Sequence, residues 1–189
     1  MKRYIVPSFA ALTLMALPLC AGNIVTNGSF ETGDFTGWTP GGTFEDTQVV
    51  SGGYYVFTGA EDGTYYATLG PVGSDGTLSQ TLSDSLGVSY TFSFWLSAVG
   101  DSPSDFSAYW NGTQLLSVTN PNTGNVWTQY SYGVTGTGSD TITLSFRDDP
   151  SYIALDNISV ASSSGVPEPA TFGLLAGGLI ALALRRRRA

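Results

Sequence analysis

The sequence predicts an all-β protein whose central part folds as a two-sheet β-sandwich. The strongest indication comes from residues 88–98, where every second position is apolar and the positions between hold serine, threonine and one tryptophan. A period of two over this length is typical of a half-buried strand and excludes an amphipathic helix. Other short segments repeat the pattern, and Gly, Asn, Asp, Ser and Thr separate them without a helical segment between. Many short strands of this kind favour two packed antiparallel sheets.

The same alternation predicts the individual strands. They are expected at residues 47–50, 54–57, 65–69, 78–82, 88–98, 106–110, 113–118, 126–132, 141–147 and 152–160. Two of these strands flank Asn111 and Gly112, which accept the positive φ angles of a type I′ turn. Residues 106–118 are therefore predicted to form a β-hairpin.

Charge limits the partners of the body, residues 23–165. Arg147 is the one basic residue in this part of the sequence, and fourteen acidic residues give it a net charge of −13. A surface this acidic repels nucleic acid and anionic lipid but attracts divalent cations. We therefore expect no nucleic-acid partner.

The composition also argues against catalysis. The chain has no histidine, and its single cysteine, Cys20, lies near the N-terminus. The body thus lacks the commonest general base and any cysteine nucleophile, and it has no Gly-x-Ser-x-Gly motif. Acidic pairs are unavoidable among so many carboxylates, so they carry no signal for a glycosidase. We expect a protein that is not an enzyme.

The N-terminus has the layout of a secretory signal peptide. Lys2 and Arg3 precede an apolar stretch, residues 4–19, and the small residues Ala21 and Gly22 follow. This order of charged, apolar and small residues predicts a signal peptide, residues 1–22, that is removed on export.

The C-terminus has three parts in a fixed order. These are the residues Val166, Pro167, Glu168 and Pro169, an apolar segment at 170–184, and the basic residues Arg185, Arg186, Arg187 and Arg188. The prolines hold the first part extended. The apolar segment gives a helix of about 22 Å, shorter than the roughly 30 Å hydrocarbon core, and snorkelling arginines compensate for this on the cytoplasmic side.

This tail resembles the PEP-CTERM sorting signal of Gram-negative bacteria that produce exopolysaccharide. The resemblance implies recognition by an exosortase, transient anchoring in the inner membrane through the helix, and cleavage near residues 167–169. The final location would then be the cell surface or the extracellular matrix. An ordinary C-terminal anchor and a buried core helix are the alternatives. The chain thus divides into a signal peptide at 1–22, a sandwich at 23–161, a linker at 162–165 and a sorting signal at 166–189.

The two ends of the body resemble the opening and closing strands of galactose-binding-like jelly rolls, the fold of many carbohydrate-binding modules. Residues 24–38, with Asn27, Gly28 and Phe30 in one turn, and residues 152–160 carry this resemblance. It implies a jelly-roll sandwich with Trp38 in its core.

The resemblance also implies a structural calcium where the first and last strands meet, with Glu31 and Asp156 as ligands. Asp156 alternates in phase with Ile158 and Val160, so the sequence predicts that its carboxylate points toward the interior, where it needs donors or a cation. Asn157 replaces a second acid that such modules often carry there. The alternative is that Asp156 accepts backbone N–H groups and Glu31 is solvated.

Trp95 is the leading candidate for sugar contact, because it lies among serines and a threonine on the polar side of its strand. Sugar-binding surfaces use exposed aromatic rings for stacking. Trp110 and Trp127 are expected to share this surface, with Tyr109 or Tyr130 beside them. The alternative is that these rings pack against the core.

Two functions follow from these observations. The first is a non-catalytic surface or matrix protein that associates with exopolysaccharide or biofilm. The second is a module that recognises a polysaccharide.

Overall fold

The computed structural model describes residues 22–163, and all statements below refer to this part. The predicted signal peptide up to residue 21 and the predicted sorting signal, with its four arginines, lie outside it. Within residues 22–163 the structure has ten strands and no helix, so none of these residues forms a helix able to cross a membrane.

The strands form two antiparallel five-stranded sheets, which confirms the predicted β-sandwich. Sheet I has the order β2-β3-β10-β5-β8 and sheet II the order β1-β4-β9-β6-β7. The bounds are β1 Thr39–Gly42, β2 Thr47–Ser51, β3 Tyr65–Leu69, β4 Gly76–Thr81, β5 Ser89–Ser97, β6 Ser104–Trp110, β7 Thr113–Thr119, β8 Thr128–Thr135, β9 Thr141–Asp148 and β10 Ile153–Ser162.

The core lies between the two sheets and is built from the apolar positions of the alternating strands. Sheet I contributes Tyr90, Phe92, Phe94, Leu96, Leu155, Ile158 and Val160, and sheet II contributes Leu78, Phe106, Ala108, Ile142, Leu144 and Phe146. All of these side chains are buried. Each aromatic ring in such a core removes a large apolar area from water, which is the main force that holds the sheets together.

The predicted hairpin is confirmed. Strands β6 and β7 pair from Asp105 with Thr119 to Trp110 with Thr113. Asn111 and Gly112 adopt φ angles of 48° and 74°, as a type I′ turn requires.

The first residues of the domain are held against the last strand. Ile24 N–H donates to the Val160 carbonyl at 2.9 Å, and Ile158 N–H donates to the Gly28 carbonyl at 2.9 Å. Strand β10 itself lies at the centre of sheet I, between β3 and β5. The two ends of the domain therefore close the same sheet.

The turn after these residues places two aromatic side chains in the core. Phe30 is fully buried, and its ring centroid lies 6.1 Å from that of Trp38. Trp38 Nε1–H donates to the Asn27 carbonyl at 3.1 Å. The expected core position of Trp38 is thus confirmed.

Two elements differ from the sequence prediction. Residues 54–57 form a tight turn rather than a strand, in which Tyr54 and Phe57 exchange backbone hydrogen bonds of 3.1 and 3.0 Å. Strand β1, Thr39–Gly42, was not predicted, because its sequence of one threonine, one proline and two glycines has no side-chain alternation. It is an edge strand, where proline is tolerated.

The turn at 54–57 belongs to residues 52–64, which we call the covering segment because they lie over the outer face of sheet I. Phe57 from this segment, Tyr66 from β3 and Ala154 from β10 form a second buried cluster. Trp127 closes the cluster, since its indole N–H donates to the Gly59 carbonyl at 3.1 Å and its ring meets Tyr66 edge-on at 5.9 Å. The outer face of sheet I is therefore half covered.

Candidate functional site

The structure corrects the face assigned to Asp156. Asp156 pairs with Trp95, whereas its neighbour Leu155 pairs with Leu96 in the core. A β-bulge after Asp156 shifts the register, with Asn157 in the left-handed region at φ 47°. The bulge adds one residue to the alternation, so Asp156 faces outward while Ile158 and Val160 face the core. Asp156 is nevertheless fully buried, because the covering segment lies over it.

Backbone amides surround the Asp156 carboxylate. Oδ2 accepts from Glu61 N–H at 2.8 Å and Asp62 N–H at 3.0 Å, and Oδ1 accepts from Asn157 N–H at 2.7 Å. Burial raises the pKa of Asp156 to about 7, although these three amides oppose the rise. Asp156 thus fastens the covering segment to strand β10.

Glu31 contacts the same segment from the other side. Its Oε1 accepts from Thr64 N–H and Tyr65 N–H, both at 2.8 Å. Ca²⁺ prefers about six to eight oxygen ligands, whereas the contacts of both predicted ligands here are with N–H donors. Residues 22–163 also contain no group of three or more acidic, histidine or cysteine side chains placed to hold a metal. The Glu31 and Asp156 pair does not form an oxygen cage, and calcium there stays a prediction.

The three tryptophans predicted to share one surface lie in two different environments. Trp110 is in the core between the sheets, 7% exposed, with its ring 6.4 Å from Phe92. It is therefore removed from the candidate sugar contacts, because neither face of its ring is free. Trp127 holds the covering segment. Trp95 is half-buried on the outer face of sheet I, beside Asp156 and Gln129.

The predicted flanking tyrosines also separate. Tyr130 stacks on Phe94 at the core, with a centroid distance of 5.7 Å. Tyr109 pairs with Thr143 on sheet II, and its neighbours Ala108 and Trp110 face the core. Tyr109 therefore lies on the outer face of sheet II, on the side of the sandwich opposite Trp95.

The outer face of sheet II combines this ring with charged and hydroxyl groups. Register places Asp105, Ser107 and Tyr109 of β6 beside Arg147, Ser145 and Thr143 of β9. Of these side chains Ser107 is buried and the other five are half-buried. We call it the polar face. The sequence carried a partial signal for it, since Arg147 is the one cation of the body.

Arg147 is fixed at one end of the polar face. Its Nε and Nη2 both donate to the Asp149 carboxylate at 2.6 Å, and Asp149 also accepts Gly73 N–H at 2.9 Å. The arginine holds the pKa of Asp149 at about 2. Burial raises the pKa of Asp105, and the charge of Asp75 adds to this rise. A planar donor, a partly desolvated carboxylate and an aromatic ring thus share one face.

This jelly-roll sandwich, with an outer sheet face of this composition, defines a binding module. Residues 22–147 match the family model described as a carbohydrate binding domain, and the chain belongs to that family. Residues 165–188 match the PEP-CTERM protein-sorting motif, which confirms the resemblance of the tail. The motif marks an exported protein that an exosortase processes.

Solved structures confirm the fold. A structure of TmCBM61 in complex with β-1,4-galactotriose matches with TM-score 0.61 and 21% identity over 74% of this chain and 98% of that one. The tailspike protein 4 domain of bacteriophage CBA120 matches with TM-score 0.54 and 17% identity over 74% and 21%. The xylan-binding CBM22-1 domain of Paenibacillus barcinonensis Xyn10C matches with TM-score 0.50 and 20% identity over 76% and 96%. Among curated proteins, none is significantly similar to this chain.

Proposed function

We propose that this protein is a non-catalytic polysaccharide-binding protein of the cell surface or extracellular matrix, where it associates with the exopolysaccharide of a Gram-negative host. The observation that carries the proposal is the presence of a carbohydrate-binding domain and a protein-sorting motif in one chain. Exosortase removes the tail and releases the domain to its site of action. The absence of histidine and of a reactive cysteine from the body supports a binding role rather than a catalytic one.

Sugar contact belongs on the polar face. A pyranose ring stacks on Tyr109, whose flat ring offers an apolar surface and a polar tip. Arg147 and Asp105 lie opposite each other in one row and supply donors and an acceptor for hydroxyl groups, and the Ser107–Ser145 row lies between that row and the Tyr109–Thr143 row. Sugar sites combine apolar surface with a few polar groups, and the polar face supplies both.

The charge of the body selects among polysaccharides. With a net charge of −13 and one cation already paired with Asp149, the domain repels an anionic chain. A neutral polysaccharide is the ligand class that meets no such repulsion. Trp95 on sheet I, with Ser93 and Ser131 next to it, is the alternative place for stacking if Tyr109 is not the contact.

Replacing Tyr109 with alanine is expected to weaken binding of a neutral polysaccharide at least about tenfold, since aromatic anchors carry most of the binding energy in such sites. The full-length protein is titrated with β-1,4-galactan, xylan and the host exopolysaccharide in affinity electrophoresis. Trp95→Ala is the matched control, because it removes an aromatic ring from the opposite face and is expected to change binding less than about twofold. If Trp95→Ala loses polysaccharide binding and Tyr109→Ala does not, the binding site lies on sheet I. No retention by any of the three glycans would leave only a structural role.

The sorting step has its own readout. Intact-mass analysis of the protein recovered from the membrane and from the medium is expected to show a released form without Arg185, Arg186, Arg187 and Arg188, and without residues 1–22. A released form that keeps the four arginines would exclude exosortase processing.

A further inference from the structure

One end of the sandwich contains a buried carboxylate without a hydrogen-bond partner for one of its oxygens. Asp148 is the last residue of β9, and it follows Ile142, Leu144 and Phe146 on the side that faces the core. Its side chain is 3% exposed, and Oδ1 is fully buried with no donor within hydrogen-bond distance. A buried carboxylate in this state is costly unless a cation or a proton compensates it.

A second orphaned oxygen lies three residues further along the chain. Ser151 is 6% exposed, and its Oγ is also buried without a partner. The Ser151 amide lies close enough to the Asp148 carboxylate to oppose the rise in its pKa. Two unpartnered oxygens thus occur together in the turn between β9 and β10.

The loops around this point add oxygen atoms and no cation. The Asp101 carbonyl accepts from Ser104 Oγ at 2.5 Å, and Ser104 pairs with Asp148 in register, so the loop that carries Asp101 reaches this end of β9. The Pro71 carbonyl accepts Asp148 N–H at 3.2 Å, so a third loop reaches the same place. Arg147, the one basic residue among residues 22–163, lies on the polar face and is paired with Asp149. No side chain in this part of the chain can neutralise Asp148.

We propose that Asp148, Asp101 and Ser151 form a calcium site at this end of the sandwich. The available ligands are carboxylate, hydroxyl and carbonyl oxygens, which hard cations such as Ca²⁺ prefer, while the thiol and imidazole ligands of transition metals are missing. The acidic body raises the local concentration of divalent cations.

Comparison with Asp156 supports this choice. Both carboxylates are buried, Asp156 at 0% and Asp148 at 3% exposure. Asp156 has three backbone donors on its two oxygens, whereas Oδ1 of Asp148 has none. A cation would satisfy Asp148 without displacing an existing contact. It would also tie the loop before β6 to the turn after β9, independently of any sugar on the polar face.

The proposal is tested with Ca²⁺ alone on the full-length protein after treatment with a chelator. Wild type is expected to bind Ca²⁺ in calorimetry and to gain several degrees in Tm, since a ligand that binds only the folded state stabilises it. Asp148→Asn is expected to lose both effects. It should melt above wild type in chelator at pH 8, because an unpaired buried charge is gone, and below wild type with Ca²⁺.

Matched variants separate this site from the pair at the other sheet. Glu31→Gln is expected to retain Ca²⁺ binding. Asp101→Asn is expected to weaken Ca²⁺ binding at least about tenfold, and this variant tests the site if Asp148→Asn does not fold. Binding that survives Asp148→Asn or Asp101→Asn but is lost in Glu31→Gln would overturn the proposal in favour of Glu31 and Asp156. A wild-type protein that binds no Ca²⁺ would overturn it outright.

Discussion

Replacing Gly28 with alanine is expected to destabilise the domain by more than about 3 kcal/mol, a loss large enough to unfold many domains. The added Cβ would lie 2.0 Å from the Ile158 carbonyl oxygen and 3.3 Å from Val25 Cγ1. The contact is with backbone, so no side-chain rotation relieves it. Moving the turn that contains Gly28 away from β10 would break the hydrogen bond of 2.9 Å from Ile158 N–H to the Gly28 carbonyl. Urea unfolding followed by tryptophan fluorescence measures the effect.

Gly133→Ala is the control for this variant. Gly133 lies in strand β8, has no positive φ, and a Cβ built on it meets no atom within 4 Å. We expect its midpoint to stay the same or rise slightly, since alanine loses less conformational entropy on folding. Equal midpoints for the two variants would show that the chain does not pass this closely between Gly28 and Ile158.

Replacing Asp156 with alanine is expected to cost about 3 kcal/mol or more, because three partly buried N–H groups lose their acceptor at once. The covering segment should detach from sheet I, so hydrogen exchange of the Glu61 and Asp62 amides should accelerate far more than that of strands in sheet II. Asp156→Asn keeps one acceptor oxygen and should lose much less. A stability for Asp156→Ala equal to that of Asp156→Asn would contradict this role.

The same carboxylate gives the stability a pH dependence. Its pKa of about 7 in the folded state lies above the ordinary value of 3.8, so the folded chain binds the proton more tightly than the unfolded chain. The free energy of unfolding therefore falls as pH rises from about 4 to about 7 and levels off above this range. Asp156→Asn should show a smaller fall when urea unfolding is repeated across this pH range.

Alternation predicted most of the fold because each strand buries one face only. The predicted bounds of β5, β9 and the β6–β7 hairpin lie close to the observed ones. The alternation also indicated that Trp110 faces the core, because Trp110 is in phase with Phe106 and Ala108. The prediction grouped Trp110 with Trp95 by residue type, although their strands belong to different sheets. Side-chain chemistry alone could not decide which faces of two sheets meet.

The site was harder to predict because it depends on irregular backbone. Because of the bulge at Asn157, Asp156 lies on the opposite face of the sheet from the predicted one. The sequence around Asp156 gave no sign of this extra residue in the alternation. The covering segment has no period, so its contact with Tyr66 and Trp127 had no sequence signal. Tyr109, Asp105 and Arg147 are far apart in sequence and meet only through the pairing of β6 with β9.

The central position of β10 sets the order of events during export. This strand is the last of the ten, yet β3 and β5 both depend on it for their pairing, so sheet I remains in two halves until residue 162 is outside. The sorting motif begins at residue 165, only a few positions later. In an export that threads the chain from its N-terminus, the domain would complete its structure only after residue 162 has emerged, a few residues before the sorting motif.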